Sequence, residues 1–158
     1  MVEINNTTKH KINAPKIKII TDEFLRVYKK TNWEVSVAIV GPARMRRLNN
    51  DYRGIDKTTD VLSFGSDTDT VKKSGIAKQI KYLGEVVINI NETKKPAKYL
   101  EVFSEKKSAD YIFYFLLVHG LLHLIGYNDE KEEERKKMLI LGAKFLERCY
   151  NNKVINIK

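Results

Sequence analysis

Two histidines, His119 and His123, stand four residues apart in the most apolar stretch of the chain, within HGLLHLIGYNDE at 119 to 130. On an α-helix, residues i and i+4 project from one face, so both imidazoles can bind a single ion. Three residues on, Gly126 can take the left-handed conformation that ends a helix and turns the chain. Asp129 follows after three more, a carboxylate able to supply a third ligand from the returning chain. Three protein ligands with one position open is the arrangement of a catalytic zinc site, whereas structural zinc is normally closed by four. The alternative, two hydrogen-bonded histidines in a buried helix, accounts for the pair but not for Gly126 and Asp129 at these spacings.

The spacing matches the H-x-x-x-H-x-x-G-x-x-H frame of the metzincins, with Asp at the third ligand position. Zinc peptidases of that kind carry Glu directly after the first His as general base; here the position is Gly120. A metal-bound water can still attack, but no adjacent carboxylate stands ready to protonate an amine leaving group, which disfavours peptide hydrolysis. Phosphodiester cleavage fits the charge better. Lys+Arg 29 against Asp+Glu 20 gives a net charge of +9, which favours a polyanionic partner, nucleic acid before membrane.

A second constellation is LNNDYRGIDKTTDVLSF, residues 48 to 64, which places Arg53 on a tight Gly-bearing turn followed by Lys57, two threonines and a strand. The planar fork of Arg can hold two phosphate oxygens and stays charged at any physiological pH. The competing reading is a salt bridge from Arg53 to Asp51 or Asp56 that merely fixes the loop. His10 lies in a polar stretch and reads as an ordinary surface residue. Glu85 is the nearest spare carboxylate for acid/base work, but its place in a strand leaves it unassigned.

These residues need a scaffold, and 158 residues with 42% hydrophobic content allow one domain, 1–158, with a sizeable core. Ile17, Ile20, Phe24, Leu25 and Tyr28 have helical spacing, and WEVSVAIVG from Trp33 reads as a strand. A short basic helix begins near Pro42. DVLSF and LGEVVINI are further strands, separated by a polar stretch, 65 to 82, that reads as a mobile loop or hairpin excursion. From Asn91 the pattern turns helical, with Pro96 near a helix start. The run from Tyr111 to Ile125 is 15 residues, short of the roughly 20 that a membrane span needs, so it reads as a buried helix. A terminal helix covers roughly Glu130 to Cys149, with Glu132/Lys136 and Glu133/Lys137 as i,i+4 pairs. The expected class is α/β or α+β around one small mixed sheet. Cys149 is the single cysteine, which suits a reducing cytosol, and MVEINNTTKHK has no apolar secretory region.

Together these stretches resemble a known family, the YbeY-type rRNA maturation factors, described as metal-dependent endoribonucleases. The resemblance rests on NNDYRGIDKTTDVLSF, then LGEVVINI, then HGLLHLIGYND with Met138 in the last helix, in that order from about Trp33 to Leu146. It implies a small, mostly parallel sheet packed by helices, with a zinc hydrolase-like helix pair carrying the metal site. It implies action on single-stranded RNA in small-subunit rRNA processing and ribosome quality control, in the cytoplasm and away from membranes. A small-subunit ribosomal protein and an assembly GTPase follow as partner candidates beside the ribosomal RNA. His119 and His123 match the family's first two ligands, and Arg53 its functional arginine beside the substrate groove. The family's third ligand is His, and Asp129 stands there in this chain; Asp is a competent ligand that adds negative charge and shifts preference toward harder ions.

The expectation is therefore one divalent ion, zinc, on His119, His123 and Asp129, with Arg53 and His119 catalytic and Arg53 and Lys57 binding RNA. The rival from another class is a non-catalytic assembly factor that binds rRNA and uses the metal to brace its fold. A zinc peptidase is the weaker third, because of Gly120.

Overall fold

The computed structural model describes residues 1–66, 71–72, 80–152 and 154. Most of the expected 65 to 82 loop, residues 67–70 and 73–79, lies outside the described residues. Among the described residues five strands and five helices follow in the order β1 Val2–Asn6, α1 Ala14–Val27, β2 Trp33–Val40, α2 Pro42–Arg53, β3 Val61–Gly65, β4 Val71–Lys72, β5 Ile80–Asn89, α3 Leu100–Phe103, α4 Ala109–Leu124 and α5 Glu132–Asn151. The sheet order is β1-β2-β5-β3, with β4 pairing the start of β5. β2 runs parallel to both β1 and β5, while β3 and β4 run antiparallel to β5. The mixed α+β sheet inferred from the sequence is the one observed.

Alternate residues of β2 and β5 feed two cores. Val35, Val37, Ile39, Val86 and Ile88 join the large cluster built with α1, α4 and α5. Ala38, Val40 and Val87 face the other way, packing with Leu62 and with Met45 of α2. Both faces of the central strands are thus covered, which explains their near-continuous Val and Ile content. Local signals set the helix starts. The Asn13 side chain accepts from the Lys16 amide at 3.0 Å to cap α1, and Ser108 accepts from the Tyr111 amide at 3.1 Å to cap α4.

One strand lies where no element was expected, and one segment differs from expectation. The apolar start VEI is the edge strand β1, in register Val2↔Val35 and Ile4↔Val37; five residues are too few for an alternation to declare itself. The stretch from Asn91, expected to be helical, breaks into 3₁₀ turns at Glu92–Lys94 and Pro96–Tyr99 before the single turn of α3. Pro96 has no amide hydrogen to donate and pushes Lys95 out of helical geometry, to φ −111° and ψ 64°.

Every residue of α4 from Ile112 to Leu122 is buried, as expected of a helix that is apolar all round. Among the described residues no helix is long and apolar enough to cross a membrane. α4 approaches the sheet closely at Gly120. A Cβ there would lie 2.5 Å from Val86 Cγ1 and 3.1 Å from Ser63 Oγ, and the Ser63 hydroxyl donates to the Gly120 carbonyl at 3.0 Å. Overpacking at such a contact costs about 1–3 kcal/mol, against roughly 1 kcal/mol of helix propensity that Ala gains over Gly. Gly120→Ala is therefore expected to lower the denaturant midpoint, and a midpoint equal to the parent's would mean that α4 can lift from the sheet without cost.

Candidate metal centre

The end of α4 sets the geometry of the site. The Gly126 amide donates to the His123 carbonyl at 3.0 Å and the Tyr127 amide to the Leu122 carbonyl at 3.1 Å. These are the two bonds of a Schellman turn. The motif demands a left-handed residue at position 126, and Gly126 has φ 100°. The chain reverses there, and the segment before α5 carries Asp129 back over the end of α4. The Asn128 side chain holds that segment by accepting from the Asp129 and Glu130 amides at 2.8 and 3.2 Å.

Three ligand atoms converge as a result. His119 Nε2 and His123 Nε2 are 3.2 Å apart, and Asp129 Oδ2 lies 3.4 Å from the first and 3.5 Å from the second. A tetrahedral ion with bonds of about 2.0–2.1 Å requires ligand separations of roughly 3.3 Å, so the triangle has the right size for one ion. His123 Nδ1 lies 3.0 Å from the Tyr127 carbonyl oxygen. A carbonyl only accepts, so Nδ1 carries the proton and Nε2 of the neutral ring offers its lone pair to the site. The same turn that delivers Asp129 therefore also orients His123.

The environment favours ligation. His119 is 9% exposed, and burial, reinforced by His123, holds its pKa below the ordinary imidazole value against the opposing pull of Asp129 and Asp60. Neutral imidazole is the form that binds a metal. His119 Nδ1 is buried without a hydrogen-bond partner. The site opens into a cavity of about 370 Å³, lined among others by His119, Asp129, Asp60, Lys98, Arg135 and Lys136.

Asp60 is the neighbour that sequence reasoning missed. It is remote from the histidines in sequence and was read only as the start of a strand. Its Oδ2 accepts from Lys98 Nζ at 3.0 Å and from the Tyr99 hydroxyl at 3.1 Å, and Lys98 also reaches Glu92 at 3.2 Å. Burial opposes the charge on Asp60, but Lys98 and Tyr99 outweigh it and leave the carboxyl below the usual range. Burial and the Asp60 charge together push the Tyr99 hydroxyl well up.

The other residues singled out in the sequence lie apart from this cavity. Arg53 ends α2 and is exposed. Its expected competitor is answered differently: Asp56 takes Arg46, in a two-pronged pair with both bonds at 2.7 Å. Lys57 is exposed beside Pro42 and Arg46, and its carbonyl accepts from the Asn49 side chain at 2.8 Å. Glu85 sits with Arg44, Tyr52 and Val87 on the α2 side of the sheet, away from α4. His10 is exposed in a hollow at the other end of α4, near Ala109 and Asp110. Gly120 faces Val86 in the sheet, so a side chain after the first histidine would not point into the site.

Comparison with known proteins agrees with this architecture. The family model described as Endoribonuclease YbeY matches residues 3–150. A protein named Endoribonuclease YbeY from Sulfurihydrogenibium sp. (strain YO3AOP1) is 34% identical over 123 residues, covering 78% of this chain and 74% of its own. One of the same name from Geobacillus thermodenitrificans (strain NG80-2) is 39% identical over 118 residues, covering 73% and 72%. One from Levilactobacillus brevis is 30% identical over 159 aligned positions, covering 92% and 95%. The solution structure of TM1509 from Thermotoga maritima shares the fold, with a TM-score of 0.57 at 21% identity over 100% of this chain and 97% of that one.

Two outcomes are expected of the purified protein. Elemental analysis should find about one equivalent of a divalent transition metal, lowered in Asp129→Ala and lost in His123→Ala; no uptake after metal is added back would remove the site. Because the folded pKa of Asp60 is depressed, its stabilisation is complete above the unfolded value of about 3.9 and disappears as pH falls through the folded one. Asp60→Asn should thus be less stable than the parent at pH 7, with the gap closing in acid. A gap that stays constant down to pH 2 would show that charge is not its cause.

Proposed function

The chain belongs to the Endoribonuclease YbeY family, and from that premise we propose that it is a metal-dependent endoribonuclease of single-stranded RNA. Its working unit is the one domain, 1–158, and its substrate the small-subunit ribosomal RNA, in maturation and ribosome quality control in the cytoplasm. The observation that carries this reading is the triangle of His119, His123 and Asp129 at 3.2 to 3.5 Å. That donor set suits zinc.

A divalent ion held by these three side chains supplies Lewis acidity toward a phosphoryl oxygen and lowers the pKa of a water to near neutrality. The chain's own residues do the rest. His123 is kept in register by the Tyr127 carbonyl, and His119 by its burial in α4. Arg53, exposed and without an ion pair among the described residues, acts from outside the cavity by holding a phosphate of the RNA and so positioning the strand at the metal site. Lys57 contacts the backbone from the same segment. Arg135 lines the cavity into which the site opens, a further cation for phosphates, whereas Lys98 and Lys136 in the same lining are paired with Asp60 and Glu92 and with Glu132. Burial of the position after His119 against Val86 removes the general base a zinc peptidase uses there, so peptide hydrolysis is not proposed.

That missing base also favours a second reading, a non-catalytic assembly factor in which the metal fastens the 127–131 turn to α4. Binding of rRNA, with a small-subunit ribosomal protein and an assembly GTPase as partners, is common to both. Cleavage of single-stranded RNA by protein freed of contaminating ribonuclease separates them. Cleavage should stop on chelation, return with added zinc and be absent in His123→Ala. Arg53→Ala should lose on the order of a hundredfold in rate at an unchanged melting temperature. Cleavage that persists in His123→Ala, or Arg53→Ala losing stability in step with activity, would defeat the catalytic assignment.

A further inference from the structure

Tyr52 is 68% exposed, an unusual state for a large aromatic residue. Its ring is not loose: the centroid lies 4.8 Å from that of Phe64 on β3, with the planes at 59°. Phe64 backs the ring and the remainder of it stands in solvent. Ile55, just past the end of α2, is 43% exposed. Arg53, next to Tyr52 in the chain, and Lys57 are exposed, and their side chains make no hydrogen bond or ion pair among the described residues. Arg44 lines the hollow beside the ring together with the Glu85 carboxylate. Arg46, by contrast, is neutralised by Asp56.

A rigid exposed aromatic ring among unpaired cations is the combination by which single-stranded nucleic acids are held, a base stacking on the ring while the cations take the phosphates. The place of the ring in the fold suits this ligand. Neighbouring residues of β3 point to opposite faces of the sheet. Ser63 reaches the carbonyl of Gly120, the residue after His119, and Phe64 backs Tyr52. β3 ends the sheet order, so a strand passing over that edge meets the ring on one side and α4 on the other. A duplex keeps its bases stacked within itself, whereas an unpaired base is free to lie on a side chain.

We infer that Tyr52 is the stacking platform for one unpaired base of the RNA, with the adjacent Arg53 as phosphate contact. The inference rests on the proposed action on single-stranded RNA and extends it to a subsite away from the cavity at His119. Selectivity there is for unpaired over paired RNA and not for a particular base, because every base offers a π-face.

The test is binding of a nuclease-resistant 2′-O-methyl oligouridine of about twelve nucleotides to the full chain, followed by fluorescence anisotropy over a range of salt. Tyr52→Ala should bind about tenfold more weakly and Tyr52→Phe like the parent. The slope of log affinity against log salt should be unchanged in Tyr52→Ala and shallower by about one in Arg53→Ala. An abasic residue scanned along the oligonucleotide should cost affinity at one register in the parent and nothing there in Tyr52→Ala, which a merely structural role of the ring would not produce. If Tyr52→Ala fails to fold, photo-crosslinking of 5-iodouridine RNA to the parent decides, with Tyr52 as the expected adduct and its absence from the adducts overturning the platform. Parent-like binding by folded Tyr52→Ala overturns the platform and leaves the proposed function standing. No binding of single-stranded RNA by the parent overturns both.

Discussion

The contact on which the rest depends is the seating of α4 on the sheet at Gly120. Only a residue without a side chain lets the helix axis come so close to Val86 and Ser63. That seating fixes the rotation of the helix about its axis, and the rotation decides where every other side chain on it points. With Gly120 turned into the sheet, His119 and His123 are turned toward the cavity and the returning chain. The same constraint excludes a carboxylate at position 120. The missing peptidase base is therefore not a lost residue but a consequence of how the helix is packed, since that position has no path to the site.

The second layer of control is electrostatic. Three potential ligand atoms lie within 3.5 Å of one another. Burial and the neighbouring His123 disfavour the protonated form of His119, and neutral imidazole is the form able to bind a metal. Nearby, Asp60 is fully engaged by Lys98 and Tyr99. This ties the irregular 96–99 segment to the start of β3 and gives the cavity wall a fixed shape. The irregularity of that segment, which Pro96 imposes, is thus compatible with a defined wall because side-chain bonds replace the missing helical ones.

β3 joins two surfaces of different character. On the α4 side it borders the buried helix with its convergent ligands, and on the α2 side it supports Tyr52 among exposed arginines. Adjacent residues of an extended chain point in opposite directions, so one short strand serves both. The net charge of +9 is not spread evenly: much of the unpaired part near β3 lies on α2 and the turn after it, where an extended polyanion would first be drawn in.

The sequence by itself determined the local features. The i,i+4 pair His119/His123, the stop at Gly126, the Val- and Ile-rich strands and the return of Asp129 toward the pair all depend on periodicity and spacing within about a dozen residues, which the chain order contains directly. β1 and the broken stretch after Asn91 were not legible, the first because five residues carry too little pattern, the second because a proline one turn into a helical-looking run competes with the periodicity. Only the tertiary structure decided which residues far apart in the chain meet. It placed Asp60 beside His119, gave Asp56 to Arg46 and not to Arg53, sent Glu85 to the opposite face of the sheet and set Tyr52 on Phe64. Each of these outcomes depends on strand order, sheet register and helix rotation, which are settled by packing the whole core at once and leave no periodic trace in the residues themselves.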